Sequence, residues 1–323
     1  MAPLNFYETM DLVKSLYNQA SMEKASENYD PQVLARISSL KISAMNLVDG
    51  LLTGQHRSRH KGSSVEFAEY KDYSPGDEIR HIDWKVAGKT DKYHVKQFEQ
   101  STNLKCTILL DTSGSMAYLS PNDNGVSKFD YARNLVAGLS YLFLKQFDAV
   151  GLTIFNNQVI QYIPPRSKAS HLQHILHGLS TISAEGVTRI EDVLAGLAER
   201  LQGRSMLILI SDFLTRDQNI QKSLKLLSSR GLEVILFQIL HPDELDLPFE
   251  GDTVFESLED DPTVGLDPAD IREEYQKTIQ DQIDRLRNTS NGLGIDYILM
   301  DTSIPLQQTL SYYLLKRKSL IKL

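Results

Sequence analysis

Apolar positions along this chain follow two rhythms in succession. From Pro31, residues Val33, Leu34, Ile37, Leu40, Ile42, Met45, Leu47, Val48 and Leu51 recur at mostly helical spacing, and Gly54 supplies a stop. This predicts an amphipathic helix docked on the body of the protein rather than on a partner. The residues before it are polar and mixed, with a short helix expected near Tyr7 to Gln19. From Leu104 the rhythm changes to short apolar runs alternating with helical periods. Strands are expected at Leu104–Leu110, Ala149–Phe155, Gln158–Ile163, Ser205–Ile210, Glu233–Ile239 and Gly294–Met300. Helices are expected at Lys128–Phe147 (with Ser127 as N-cap), Ser170–Ile182, Arg189–Leu201, Asn219–Ser229, Asp270–Thr289 and Pro305–Lys318. Such alternation with short connections predicts the α/β class: a Rossmann-like, mostly parallel sheet with helices on both faces.

Two stretches break the alternation. Residues 55–100 suggest strands at Val65–Tyr73 and Tyr93–Phe98, with a turn at Ser74-Pro75-Gly76-Asp77, where Pro presets φ and Gly takes positive φ. Residues 241–265 are strongly acidic, with a strand expected at Thr253–Leu258 and a turn at Asp260-Asp261-Pro262. That strand is expected to pair with those of residues 55–100. The organisation read from the sequence is a helical segment over 1–54, a small β-rich accessory subdomain from 55–100 plus 241–265, and a main α/β domain from 101–240 plus 266–323.

The densest chemistry lies at the end of the first strand of the alternation. The run Thr107-Ile-Leu-Leu110 leads into Asp111, Ser113 and Ser115, with Gly114 between the serines. Open α/β sheets place ligands at the carboxyl ends of their strands. Two further segments end near the same level of the fold. Gly186-Val-Thr188 precedes a helical period, and Met206–Ser211 is an apolar strand followed by Asp212. Taken singly, each residue has an ordinary reading as a turn former or helix cap. Taken jointly, Asp111, Ser113, Ser115, Thr188 and Asp212 are a set of hard oxygen donors, which selects Mg²⁺, with Mn²⁺ or Ca²⁺ as alternatives, over softer metals. The set resembles the metal-ion-dependent adhesion site of von Willebrand factor A domains. That resemblance implies that Ser113, Ser115 and Thr188 touch the ion and that Asp111 and Asp212 act largely through water. It also implies that a partner protein supplies an Asp or Glu to the remaining position.

A second block is dense in side chains that make directional contacts: Gly54-Gln-His56-Arg-Ser58, Glu66-Phe67, Tyr73-Ser-Pro75-Gly76-Asp77 and Arg80-His-Ile-Asp83-Trp84. Arg80 and Asp83 suit a charge-assisted pair, and Trp84 suits a packing anchor. In order, and followed by Asp111-x-Ser-x-Ser-Met116, these elements resemble the bacterial family long labelled domain of unknown function 58, von Willebrand A proteins encoded beside MoxR-type AAA+ ATPases. The resemblance covers most of residues 30–318. It departs at Val86-Ala87-Gly88-Lys89, where the family has an Ala-Arg pair, and at Gln100, where a second Glu is common. It implies a MoxR-type ATPase, or a client of the pair, as partner.

Composition narrows the remaining classes. The chain has 323 residues and a net charge of −8, which gives no reason to expect nucleic acid or an anionic membrane as partner. A single cysteine, Cys106, permits no internal disulfide and fits a reducing compartment. No signal-peptide pattern opens the chain, and its apolar runs are short, so a cytoplasmic protein without a membrane span is expected. His56 and His60 sit among Arg57, Arg59 and Lys61, which opposes cation binding. His171, His174 and His177 share one helical stripe, but the first and last are too far apart for one ion. Ser113 and Ser115 lack a Gly-x-Ser-x-Gly elbow and an evident base, and no phosphate-binding glycine loop is present. The expectation is a non-enzymatic, metal-dependent binding adaptor in a chaperone-like complex. The alternatives are a metal-dependent hydrolase, or a metal that only ties loops together.

Overall fold

The structure, a computed structural model, describes residues 31–55, 69–72, 94–97, 104–121, 125–200, 205–214, 220–259 and 263–320. The chain divides into two compact units, Met1–Gly54 with Leu104–Leu323, and Gln55–Asn103. In the smaller unit, β1 (Glu69–Asp72) pairs antiparallel with β2 (His94–Gln97). The helix expected near Tyr7 and nearly all of the Gly54–Trp84 block lie outside the described residues.

In the larger unit, α1 (Pro31–Gln55) leads, in chain order, to β3 (Lys105–Asp111), a 3₁₀ turn (Gly114–Ala117) and α2 (Lys128–Lys145). Then come β4 (Ala149–Phe155), β5 (Val159–Arg166), α3 (His171–Thr181), α4 (Ile190–Arg200), β6 (Ser205–Ser211) and α5 (Ile220–Ser229). The unit continues with β7 (Glu233–Leu240), α6 (Pro242–Asp246), β8 (Thr253–Glu256), β9 (Thr263–Leu266), α7 (Pro268–Gly292), β10 (Asp296–Asp301) and α8 (Leu306–Leu320). Six strands form one sheet in the order β10-β7-β6-β3-β4-β5, parallel throughout except for the edge strand β5. This is the mixed α/β, mostly parallel architecture that the alternation predicts.

The pleat sorts each central strand between two cores. On β3, Cys106, Ile108 and Leu110 enter one cluster with Leu135 and Leu139 of α2, Ile175 and Leu179 of α3, and Leu310 of α8. Leu109 points the other way, into a cluster with Val193 and Leu197 of α4, Leu224 and Leu227 of α5, and Leu286 of α7. Burial on both faces is why β3 and β6 read as continuous apolar runs. Helix α1 docks on the same body through Leu40, Ala44, Leu47 and Leu51. Its Leu47 packs closely on α2: a Cβ at Gly138 would lie 2.4 Å from Leu47 Cδ2, so a larger residue there would make the Leu47 side chain shift.

The acidic stretch departs from expectation. Strand β8 pairs antiparallel with β9, Thr253 opposite Leu266 and Glu256 opposite Thr263, rather than with the strands of residues 55–100, and it belongs to the larger unit. A partner a few residues along the chain closes a short loop, at far less entropic cost than pairing with a segment about 150 residues away. The stretch also holds α6, nucleated by a capping box in which the His241 side chain accepts from the Asp243 amide and Glu244 accepts from the His241 amide. Among the described residues, no helix is long and apolar enough to cross a membrane.

Candidate metal centre

Strand β3 sits mid-sheet. The chain leaves it first toward β4, then returns on its other side as β6. The crevice at the carboxyl ends of β3 and β6 is therefore a topological switch point, the place where such sheets bind ligands. Asp111 ends β3 and Asp212 follows β6, one at each lip of that crevice.

Asp111 is fully buried. Its Oδ1 accepts the Ser113 amide at 2.9 Å, and its Oδ2 accepts the Ser211 hydroxyl at 2.6 Å and the Thr188 hydroxyl at 3.3 Å. Burial, and secondarily the charge of Asp212, push its carboxyl up to about 7, against hydrogen bonds from Ser211 and Ser113 that favour the ionised form. The 3₁₀ turn after Ser113 brings the Ser115 hydroxyl to 3.1 Å from that of Ser113. Backbone bonds tie three loops around this cluster. The Gly114 amide donates to the Gly186 carbonyl at 2.7 Å, the Glu185 amide to the Thr112 carbonyl at 2.8 Å, and the Thr112 amide to the Phe155 carbonyl at 2.8 Å. Gly186 holds a φ of +82°, a left-handed conformation natural to glycine, and this delivers Thr188 to Asp111.

Asp212 is equally buried but differently engaged. Its Oδ2 accepts Lys128 Nζ at 2.7 Å and its Oδ1 accepts the Leu214 amide at 3.1 Å. Lys128 is itself fully buried and also reaches Glu244 at 2.5 Å. Burial works against the ammonium charge, but Asp212 and Glu244 more than offset it and hold Lys128 above its usual range. Thus Asp111, Ser113, Ser115 and Thr188 form one hydrogen-bonded cluster. Asp212 stands beside it, turned toward the chain's own lysine.

Residues 69–285 match the family described as "Protein of unknown function DUF58". The chain belongs to this family. It is also similar to uncharacterized protein Rv1480 of Mycobacterium tuberculosis and to uncharacterized protein Mb1516 of Mycobacterium bovis, each 26% identical over 279 residues that cover 84% of this chain and 86% of the relative. Among solved structures it is similar to the conserved hypothetical protein BatB of Bacteroides thetaiotaomicron, at 18% identity and a TM-score of 0.44, over 67% of this chain and 99% of that one. It is likewise similar to an aerotolerance-related membrane protein of Bacteroides fragilis, at 19% identity and a TM-score of 0.42, over 66% of this chain and 97% of that one.

Four participants in this DUF58 chain's site escaped the sequence reading: Ser211, Lys128, Glu244 and Glu259. Lys128 carried a faint signal, because a lysine in the first turn of a helix opposes the macrodipole and needs a reason. Glu259 brings a further carboxylate from the β8–β9 connection; burial holds it above its usual range, and the nearby Ser115 and Thr188 favour its ionised form. Nothing set it apart from its many acidic neighbours in sequence.

The donor chemistry fits a hard cation. The Thr188 hydroxyl donates to Asp111, which leaves its lone pairs facing the crevice, and the Ser113 and Ser115 hydroxyls bond each other beside it. Among the described residues, no group of three or more His, Cys, Asp or Glu side chains is placed to hold a metal, so the fit rests on hydroxyls. The histidine stripe offers nothing comparable. The rings of His171 and His174 lie 5.9 Å apart, and burial, then His174, lowers the pKa of His171.

Proposed function

We propose that this chain is a von Willebrand factor A-type binding module, not an enzyme, whose crevice uses Mg²⁺ to grip a carboxylate of a partner protein. The observation that carries the reading is the cluster of the Ser113, Ser115 and Thr188 hydroxyls beside Asp111, a buried carboxylate with no cation paired to it among the described residues, at the switch point of the sheet. Ser113, Ser115 and Thr188 would hold the ion, and Asp111 and Asp212 would supply charge behind them. When bound, the ion supplies a positive charge that neutral hydroxyls leave largely unquenched, so it attracts an anionic ligand. Asp111 fixes the Thr188 hydroxyl proton so that its oxygen lone pairs face outward. Lys128 takes up most of the charge of Asp212, which keeps the site from becoming a carboxylate cage that quenches the ion.

The Ser113 and Ser115 hydroxyls have each other as partners rather than an imidazole base, which favours binding over nucleophilic catalysis. The family resemblance makes a MoxR-type AAA+ ATPase, presenting an Asp or Glu on a loop, the leading partner, with this chain as the adaptor of a chaperone-like complex in the cytoplasm. The test is a pull-down of the purified ATPase from the same genome by this protein, in Mg²⁺ and in EDTA, beside Asp111→Ala. Capture only by the wild type and only in Mg²⁺ is expected. Equal capture in EDTA, or by Asp111→Ala, contradicts the reading.

A further inference from the structure

The β8–β9 hairpin lies outside the six-stranded sheet, and its connection reaches the metal-centre loop. A Cβ built on Gly114 would lie 1.9 Å from the Leu258 carbonyl oxygen and 2.8 Å from its carbon, so the backbone of the connection rests directly on the turn between Ser113 and Ser115. Only glycine at position 114 permits this seat. The next residue, Glu259, turns its side chain inward. Its Oε1 is sealed from solvent without a hydrogen-bond partner, and Ser115 and Thr188 lie near enough to favour the ionised form of the same carboxylate. Burial, and after it the charge of Asp212, hold the Glu259 carboxyl above its usual range. A buried acceptor without a partner costs free energy. A cation held by Ser113, Ser115 and Thr188 would satisfy that oxygen and offset the repulsion.

We propose that Glu259 is an internal ligand of the metal centre, occupying the position that a partner's carboxylate takes, so that the hairpin is a self-inhibiting cap the partner must displace. The inference rests on the metal-binding reading above. The cap is built to move. Strands β8 and β9 have four residues each and hydrogen-bond to each other, so lifting them breaks no strand pairing of the main sheet. Val254, Leu258 and Val264 are 68%, 50% and 53% exposed, so little apolar burial holds the hairpin down. Phe255 near the tip meets Phe249 edge to face at 5.7 Å, and ahead of β8 Arg272 donates to the Leu247 and Phe249 carbonyls. The partner's acidic residue then replaces one carboxylate by another of the same chemistry, and selectivity falls to the surfaces around it.

The experiment uses Mn²⁺ as the probe on the full chain. Binding is followed by its EPR signal, and water access to the bound ion by water-proton relaxation. Glu259→Gln is expected to weaken Mn²⁺ binding about tenfold, the scale of losing one supporting group at a metal site. At saturation, relaxation by the bound ion should rise, because water enters the position Glu259 leaves. Glu259→Asp, which retracts the carboxylate by one methylene, should move both readouts the same way. Glu256→Gln, on an exposed position of the same hairpin, should move neither. Saturable Mn²⁺ binding with both readouts unchanged in Glu259→Gln would overturn the cap and leave the metal centre standing. No saturable binding by the wild type would overturn the metal centre, and the cap with it.

Discussion

Asp111 and Asp212 stand at the ends of adjacent strands, both buried, and the protein treats them in opposite ways. Asp212 is closed off. Lys128 neutralises it, a backbone amide takes its other oxygen, and Glu244 completes an ion triad inside the fold. Asp111 is surrounded by hydroxyls and an amide but is offered no cation among the described residues. A buried carboxylate without a counter-charge either keeps its proton or waits for a cation from outside. On the proposed reading the Asp111 region receives the ion while Asp212, paired within the fold, stands behind it in the same crevice.

The sharpest way to break this contrast is to remove the lysine. Lys128→Met leaves Asp212 and Glu244 buried without a cation, and a broken buried pair typically costs about 3–5 kcal/mol. Thermal unfolding in EDTA should therefore show a large loss of Tm, whereas Asp111→Asn under the same conditions should lose little. Equal losses would mean that both acids are structural.

A smaller effect is set by pH. The carboxyl of Asp111 is raised from its usual 3.8 to about 7, so between those values the native state holds a proton that the unfolded state has released. Stability of the metal-free protein therefore falls as pH rises through that window and levels off above about 7. Mg²⁺ competes with the same proton, so its affinity should climb across the window and flatten above it. Chemical denaturation in EDTA and Mg²⁺ titrations at several pH values would check both slopes. Affinity independent of pH would show that Asp111 is ionised without help.

What could be read before the fold was known follows from how local each signal is. Buried parallel strands show as unbroken apolar runs, so Ile108–Leu110 and Met206–Ile210 were legible, and the helices between them carried their own period. Asp111, Ser113 and Ser115 lie within five residues, and Thr188 and Asp212 each abut a recognisable element, so the donor set emerged together. Strand β9 was not legible: Thr263-Val-Gly-Leu266 is short, contains a glycine, and is a strand only because the turn before it returns the chain to β8. The burial of Lys128 is a tertiary fact, set by α2 pressing its first turn against β6 and α6. Glu259 acquires meaning only from where the hairpin lands.

The central claim is that Asp111 and its hydroxyls form a receptor for a divalent cation. The most direct test is isothermal titration of Mg²⁺ into the purified protein and into Asp111→Asn at pH 8. The account predicts saturable binding of one ion by the wild type and its loss in a variant that remains folded. Wild-type protein that takes up no Mg²⁺, or a variant that binds it equally well, would contradict it.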